Sequence, residues 1–153
     1  MKRCHACRGE DLATVTVELE RKIAGRTFKA VIPATRCRKC GEETYAAPDL
    51  EAFDLAVAGE LASHGVASAE DFSFMRRALG VLARDLAELL DVAPETVSRW
   101  EHGKLPLERG PVALLSAMVL DRLEGRTTTV DRLRAMLHPV PLPKVVRLPP
   151  RAA

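Results

Sequence analysis

Aromatic residues are scarce in this sequence. They make up 4% of its 153 residues, as one Trp, one Tyr and four Phe. A large β-sandwich relies on aromatic and β-branched side chains, so we expect instead a core of Leu, Val and Ala between small helices. Because 47% of the residues are hydrophobic and 29% are charged, the composition excludes a wholly disordered chain.

Long apolar runs are missing as well. The longest stretch without a charged residue covers residues 110–120, about half of what crosses a bilayer. No apolar signal region follows the basic pair Lys2 and Arg3. We therefore expect a cytoplasmic protein that is neither secreted nor inserted in a membrane.

The net charge is small but unevenly distributed. The formal charge of +2 is low for a nucleic-acid-binding protein. Residues 1–47 nevertheless carry +4, residues 48–72 hold six acids and no base, and residues 139–153 carry +3 together with five of the ten prolines. Such asymmetry indicates separate modules and an extended tail.

The four cysteines form two matched pairs, Cys4-x-x-Cys7 and Cys37-x-x-Cys40. Between them, residues 12–19 and 28–32 are typical of a β-hairpin with its turn at Gly25. The hairpin would bring the pairs together as a tetrahedral Zn²⁺ site whose four protein ligands leave no position for a catalytic water. We expect Gly41 and Gly9, which follow the pairs, to supply turns of positive φ.

Three other interpretations of the cysteines exist, the first of which is that they are unrelated to one another. A redox dithiol would make the protein a thiol-disulfide enzyme, but that motif typically occurs once and in a βαβ context. His5 lies inside the first pair and is an alternative ligand in principle, although a surface imidazole is the simpler interpretation. A module of about 47 residues buries little core and needs a cross-link, which favours structural zinc.

The rest of the chain is predicted to be helical. Apolar periodicity indicates a connecting helix over residues 48–64. Ser68 and Asp71 form a capping-box pattern at the start of a second helix that ends at Gly80. Further helices are predicted over residues 83–90, 94–102 and 111–123, and a short one capped by Thr128 and Asp131 ends before Pro139.

The third and fourth helices fit a helix-turn-helix, in which the second helix lies in the DNA major groove. We expect Val92 and Val97 to face inward. The alternative is an ordinary helical hairpin with a solvated polar face. The residues expected to face outward, towards base edges and phosphates, are Glu95, Thr96, Ser98 and Arg99.

Two later helices offer a surface for a second copy. The apolar face of residues 111–123 packs in the core or forms a dimer interface, since helix-turn-helix dimers read two half-sites about 34–36 Å apart. Val130, Leu133 and Leu137 would add to that surface.

Two resemblances meet in this chain. Residues 31–43 with the first cysteine pair resemble the YgiT-type zinc finger, and residues 79–103 resemble the Xre/Cro type of helix-turn-helix. Their order is similar to that of the MqsA family of antitoxins, over about residues 1–124. The resemblance implies a homodimeric autorepressor that binds double-stranded operator DNA and holds a cognate toxin, commonly an mRNA-cleaving ribonuclease, through its zinc module.

The resemblance also implies roles for single residues. Cys4, Cys7, Cys37 and Cys40 would be zinc ligands, Arg99 a DNA-contacting residue, and Arg76 and Glu101 a pair across the fold. Glu95 stands where the best-known member has a base-reading Asn, and Ala83 where Gln is common. Glu accepts a hydrogen bond from cytosine N4 but cannot make the bidentate contact to adenine, so a different operator is expected. Lys104 is a further expected DNA contact.

These inferences define an α+β protein. It would consist of a zinc ribbon (1–47), an acidic connecting helix (48–67), a helix-turn-helix domain for DNA binding and dimerisation (68–125), and a short helix with a proline-rich tail (126–153). We find no nucleophile constellation or phosphate loop and expect no catalytic activity. The alternative function is a stand-alone zinc-ribbon/helix-turn-helix regulator without a toxin.

Overall fold

A computed structural model describes residues 2–65 and 68–150. An N-terminal antiparallel hairpin is followed by six helices, which confirms the α+β expectation. The strands are β1 (Leu12–Ile23), β2 (Arg26–Cys37) and β3 (Glu43–Thr44), and the helices are α1 (Ala47–Ser63), α2 (Ala69–Ala78), α3 (Ala83–Leu89), α4 (Pro94–Glu101), α5 (Arg109–Leu123) and α6 (Thr128–Leu137).

The hairpin is longer than the sequence indicated. β1 and β2 have 12 residues each and pair in continuous register, from Leu12 opposite Cys37 to Ile23 opposite Arg26. Ala24 and Gly25 connect them with φ of 48° and 76°. Positive φ at both central residues matches the twist of a two-residue hairpin turn. β3, which the sequence analysis missed, adds two residues beside β2.

The tip of the hairpin belongs to the hydrophobic core of the helices. Ile23 and Ile32 are buried in the same cluster as Phe53 and Leu61 of α1 and Phe72 of α2. One core therefore crosses the boundary near residue 47 that the charge pattern suggests. The division into zinc ribbon, connecting helix and later units stays a prediction, and residues 1, 66, 67 and 151–153 of those units lie outside the described part.

Helix α1 lies centrally, against α2 and α5. A Cβ added at Gly59 would overlap Cδ1 of Leu123, so the absence of a side chain allows α1 and α5 to approach closely. The capping box of α2 is confirmed: Asp71 N donates to Ser68 Oγ at 3.1 Å, and Ser68 N donates to Asp71 Oδ2 at 3.1 Å. α5 begins at Arg109, two residues before the predicted start.

The predicted cap of α6 is wrong. Thr127, not Thr128, is the N-cap residue, and it makes no side-chain cap to the backbone. The N–H of Thr129 donates instead to Oδ2 of Asp121, a buried residue of α5, at 2.7 Å. A free backbone N–H in the first turn of α6 is thus hydrogen-bonded by a carboxylate of the preceding helix, because no neighbouring side chain in the sequence caps it.

Helix α6 packs within the chain. Leu133 is 8% exposed and belongs to the core cluster. Val130 and Leu137 are half-buried. The dimer surface that we expected from these three side chains is therefore mostly used for packing inside one copy. Beyond α6, residues 139–150 are exposed and form no helix or strand. None of the described helices has the length and hydropathy that crossing a membrane requires.

Candidate metal centre and helix-turn-helix surface

The two cysteine pairs sit in loops of the same backbone geometry. The N–H of the fourth residue after the first cysteine donates to that cysteine's carbonyl, from Arg8 to Cys4 at 2.9 Å and from Gly41 to Cys37 at 2.8 Å. Both donors have positive φ, 57° at Arg8 and 79° at Gly41. The expectation for Gly41 is confirmed, whereas in the first loop Arg8 and not Gly9 takes that conformation.

Gly9 has a different role. A Cβ built there would lie 3.2 Å from Cys7 Sγ. The Gly9 N–H donates to that sulfur at 3.4 Å. The missing side chain therefore lets the backbone approach the Cys7 thiol.

The hairpin brings all four thiols together. Cys4 Sγ lies 3.6 Å from Cys40 Sγ, and Cys7 Sγ lies 3.6 Å from Cys37 Sγ, so each short contact joins one loop to the other. All four sulfur atoms lie within 4.8 Å of one another. A tetrahedron with Zn–S bonds of about 2.3 Å separates its sulfur atoms by roughly 3.8 Å. The four cysteines could therefore hold a single metal ion.

The pKa values of Cys37 and Cys40 are shifted in opposite directions. The backbone N–H of Cys40 lowers the pKa of Cys37 to about 7. At Cys40 the Glu42 backbone N–H favours the thiolate, but hydrogen bonding with the Cys7 thiol and burial together raise the pKa to about 12. Crowded thiols resist a second negative charge, and a divalent cation among them removes that penalty. The donor set thus suits a soft-ligand metal site.

Two exposed ion pairs lie next to the cysteine loops. Arg3 pairs with Glu10 at 2.7 Å, and Arg36 next to the second pair contacts Glu43 of β3 at 2.5 Å. The Arg36 guanidinium lowers the pKa of Glu43. His5 is exposed and is not part of the cysteine cluster. The site therefore consists of four sulfur atoms held between two loops and β3.

The turn of the predicted helix-turn-helix lies between α3 and α4. Asp91 has φ of 53°, and the Val92 N–H donates to Ala87 O at 3.0 Å, which closes the end of α3. Pro94 opens α4. Val97 is fully buried, while Val92 is only half-buried.

Helix α4 is fixed to the core at two points. Trp100 is 2% exposed and meets Phe72 edge-on, with ring centroids 6.0 Å apart. Arg76 of α2 forms a two-point ion pair with Glu101, of which the Nη2–Oε2 contact is 3.0 Å, and it also donates to Val81 O at 2.8 Å. Both side chains are largely buried. A buried ion pair with two hydrogen bonds fixes the orientation of α4 relative to α2.

The outer face of α4 is polar. Glu95, Ser98 and Arg99 are exposed and line one shallow depression together with His102 and Lys104. Thr96, which we expected to face outward, is half-buried. Within residues 2–65 and 68–150, neither Arg99 nor Lys104 forms an ion pair. The side chains of Arg99 and Lys104 therefore place two unpaired positive charges on this surface.

Sequence reasoning missed an ion pair that joins hairpin and helices. Arg26, at the hairpin tip, donates to the fully buried Asp71, which also caps α2. A second pair, Arg21 with Asp54 of α1 at 2.8 Å, lies on the same side of the tip. The separations of 45 and 33 residues left no local signal.

No family model matches the chain, and no curated protein matches it either.

Proposed function

We propose that the protein is a DNA-binding transcriptional regulator that acts as a dimer and by binding, not catalysis. The observation that carries the proposal is helix α4. Val97, Trp100 and the Arg76–Glu101 pair fix its inner face, while Glu95, Ser98 and Arg99 project from the outer one. A short polar helix held rigidly at the surface after a tight turn is the arrangement that reads a major groove.

The charged residues on this face suit two different kinds of contact with DNA. Arg99 and Lys104 have no internal partner among the described residues, so they are available to phosphates or guanine. Glu95 lies in the first turn of α4, where a carboxylate can accept from cytosine N4. The preference for a C·G pair at the position opposite Glu95 is part of the proposal.

The DNA proposal is tested with duplex DNA from the region upstream of the protein's own gene, by fluorescence anisotropy at several salt concentrations. Arg99→Ala should weaken binding by about 1–3 kcal/mol if Arg99 contacts a base. Arg132→Ala, which removes an exposed charge from α6, is the matched control and should leave affinity nearly unchanged. Equal affinities and equal salt slopes for Arg99→Ala and the unsubstituted chain would refute the assigned orientation.

The metal site is proposed to hold one structural Zn²⁺. Two observations support it: the sulfur contacts of 3.6 Å, close to the spacing of a tetrahedral Zn²⁺ site, and the absence of the described residues of the two cysteine loops from the hydrophobic core cluster. Bound zinc would cross-link the two loops and supply no open coordination position. Elemental analysis should find one zinc per chain with no thiol reactive towards a disulfide reagent. Four reactive thiols and no metal would instead favour the thiol-disulfide enzyme.

The antitoxin role is also part of the proposal, with a ribonuclease toxin as partner of the zinc module. The supporting feature is β1, a 12-residue strand that lies at the edge of the sheet, paired only with β2. A free strand edge of this length is a docking site for another protein.

Co-expression with the product of the neighbouring gene tests the antitoxin role, with complex formation and inhibition of RNA cleavage as readouts. Arg99→Ala should still inhibit the toxin although it binds the DNA more weakly. If the neighbouring product neither binds nor cleaves RNA, the stand-alone regulator is the correct function.

A further inference from the structure

His102 ends α4 and lies on the outer, polar face of that helix. It is the C-cap residue and is exposed. It lines the same depression of about 330 Å³ as Arg99 and Lys104. Glu95, the acid of this depression, stands seven residues earlier in the chain, about 10 Å away along the helix axis. The end of the depression at which His102 lies is therefore its basic end.

A hydrogen bond fixes which nitrogen of the His102 ring carries the proton. Nδ1 lies 2.7 Å from the Ser98 carbonyl oxygen and 3.5 Å from the Ser98 hydroxyl. Because a carbonyl oxygen can only accept, Nδ1 is the donor of the shorter contact. In the neutral imidazole Nε2 is then an acceptor, whose lone pair repels the oxygens of a phosphate. Protonation gives Nε2 an N–H and the ring a positive charge, so the same atom becomes a charged donor.

The charges that face His102 come from α4 and from the turn that follows it. Among the described residues, His102 forms no ion pair. Helices α2 and α3 pack against α4, but none of their residues lines the depression. The charged residues of α2 and α3 lie elsewhere: Arg76 pairs with Glu101, Asp71 with Arg26 and Arg84 with Asp85, while Glu70, Arg77 and Glu88 line other depressions.

The proposed mode of DNA binding determines what this basic end would meet. When the N-terminal residues of a recognition helix contact base edges, its C-terminal end lies towards the sugar-phosphate backbone. We propose that His102 is a further phosphate contact of α4, and that its Nε2 binds a DNA phosphate only when the imidazole is protonated. A phosphate in the depression favours the charged ring, and by linkage the bound proton strengthens the DNA complex.

This inference rests on the proposed DNA binding and adds a control by pH. The protonated ring binds DNA and the neutral ring does not, so the added affinity is present at low pH. It disappears as the pH rises through the range in which histidine side chains titrate, around pH 6.5. The contact is to the backbone, so it strengthens binding to any duplex and carries no base preference.

His64 provides a matched control within the chain. It is the C-cap residue of α1 and is exposed, as His102 is for α4. Its Nδ1 lies 2.8 Å from the Glu60 carbonyl oxygen, which gives the same tautomer four residues after its partner. Its charged neighbour is the Glu60 carboxylate, at 3.7 Å, and it does not line the α4 depression. A pH effect common to exposed helix-capping histidines would therefore appear at both positions.

Fluorescence anisotropy with the full-length chain tests the contact at about pH 6 and about pH 8, on either side of the ordinary pKa of histidine. One duplex comes from the region upstream of the protein's own gene, and the other has an unrelated sequence of equal length. The unsubstituted chain should bind each duplex about three- to fivefold more tightly at the lower pH, as expected for one exposed charge pair. The slope of log K against log salt should be steeper there by about 0.9, the value for one phosphate.

Three variants assign the effect to the His102 ring. His102→Gln, which cannot be protonated, should lose both the affinity difference and the slope difference. His102→Lys is charged throughout this range and should bind at the higher pH as tightly as the unsubstituted chain binds at the lower pH. His64→Gln should keep the pH response of the unsubstituted chain.

The outcomes separate this inference from DNA binding itself. If the chain binds neither duplex at either pH, the proposed function is wrong and this inference is wrong with it. If the chain binds but His102→Gln keeps the full pH response, DNA binding stands and the His102 contact is refuted. An NMR titration of the ring protons gives an independent measurement: added duplex should raise the pH at which His102 takes up its proton and leave that of His64 where it was. An unmoved His102 titration would also overturn the proposal.

Discussion

The two ends of the β1–β2 hairpin are held in different ways. At the open end, four thiols surround a space suited to one metal ion, and none of the residues of the two cysteine loops belongs to the core cluster. At the tip, Ile23 is 3% exposed in the helical core and Arg26 pairs with the buried Asp71. One continuous strand pair therefore carries the candidate metal ligands at one end and is held by apolar burial at the other. A chain poor in aromatic residues can extend a long hairpin this way without enlarging its core.

Removal of the metal should have the largest effect, confined to the open end. Structural zinc in finger peptides contributes about 10–16 kcal/mol of apparent binding energy, which the loops cannot replace by packing. With a chelator, or in Cys37→Ser, the amides of Gly9 and Gly41 should exchange rapidly with solvent while Ile23 stays protected. Hydrogen exchange measures both ends at once. Collapse of protection at Ile23 together with Gly9 would show that the ends are not independent.

Truncation at the tip should destabilise the helices. Ile23→Ala leaves a cavity in the shared core and should cost about 2–4 kcal/mol. Trp100 is the single tryptophan and lies in that core, so its fluorescence in a urea titration reports on the helical half. Val31→Ala, at a 67% exposed position of the same hairpin, should leave the midpoint unchanged. If Ile23→Ala does the same, hairpin and helices fold as separate units.

The ion pair at the tip should contribute less than Ile23. Arg26→Met removes the partner of a fully buried carboxylate, but Arg26 itself is partly exposed and Ser68 still donates to Asp71. We expect a loss of about 1–3 kcal/mol in the same titration. Lys29→Met is the matched control, because its pairs with Glu18 and Glu20 are exposed. A loss no larger than the control's would mean that burial of Ile23 alone fixes the tip.

Local patterns in the sequence were enough for much of this architecture. The cysteine spacing, the Ser68–Asp71 capping box and the Pro94 start of α4 each depend on neighbours within a few residues, and each marks a loop or helix end that the structure contains. The docking of Ile23 and the Arg26–Asp71 pair depend on residues far apart in the chain. A single sequence holds no signal for such contacts, which explains why the hairpin looked like part of a separable module.

The cap of α6 was predicted wrongly for the same reason, and Asp121, which accepts a hydrogen bond from the Thr129 N–H, gives a pH-dependent prediction. The backbone N–H of Thr129 lowers the pKa of Asp121, with a smaller contribution from Arg126. Because the folded-state pKa lies below the ordinary value of about 3.9, Asp121 stabilises the fold above that value, and this contribution disappears as the pH falls through the folded-state pKa. Asp121→Asn should therefore be less stable than the unsubstituted chain at pH 7 and should approach it in the acid range. Asp131→Asn, an exposed acid of α6, should show a smaller difference at every pH. Thermal unfolding from pH 2 to pH 7 distinguishes the two variants. If Asp121→Asn lowers the unfolding temperature by the same amount at every pH, the shape of the Asp121 side chain and not its charge holds α6.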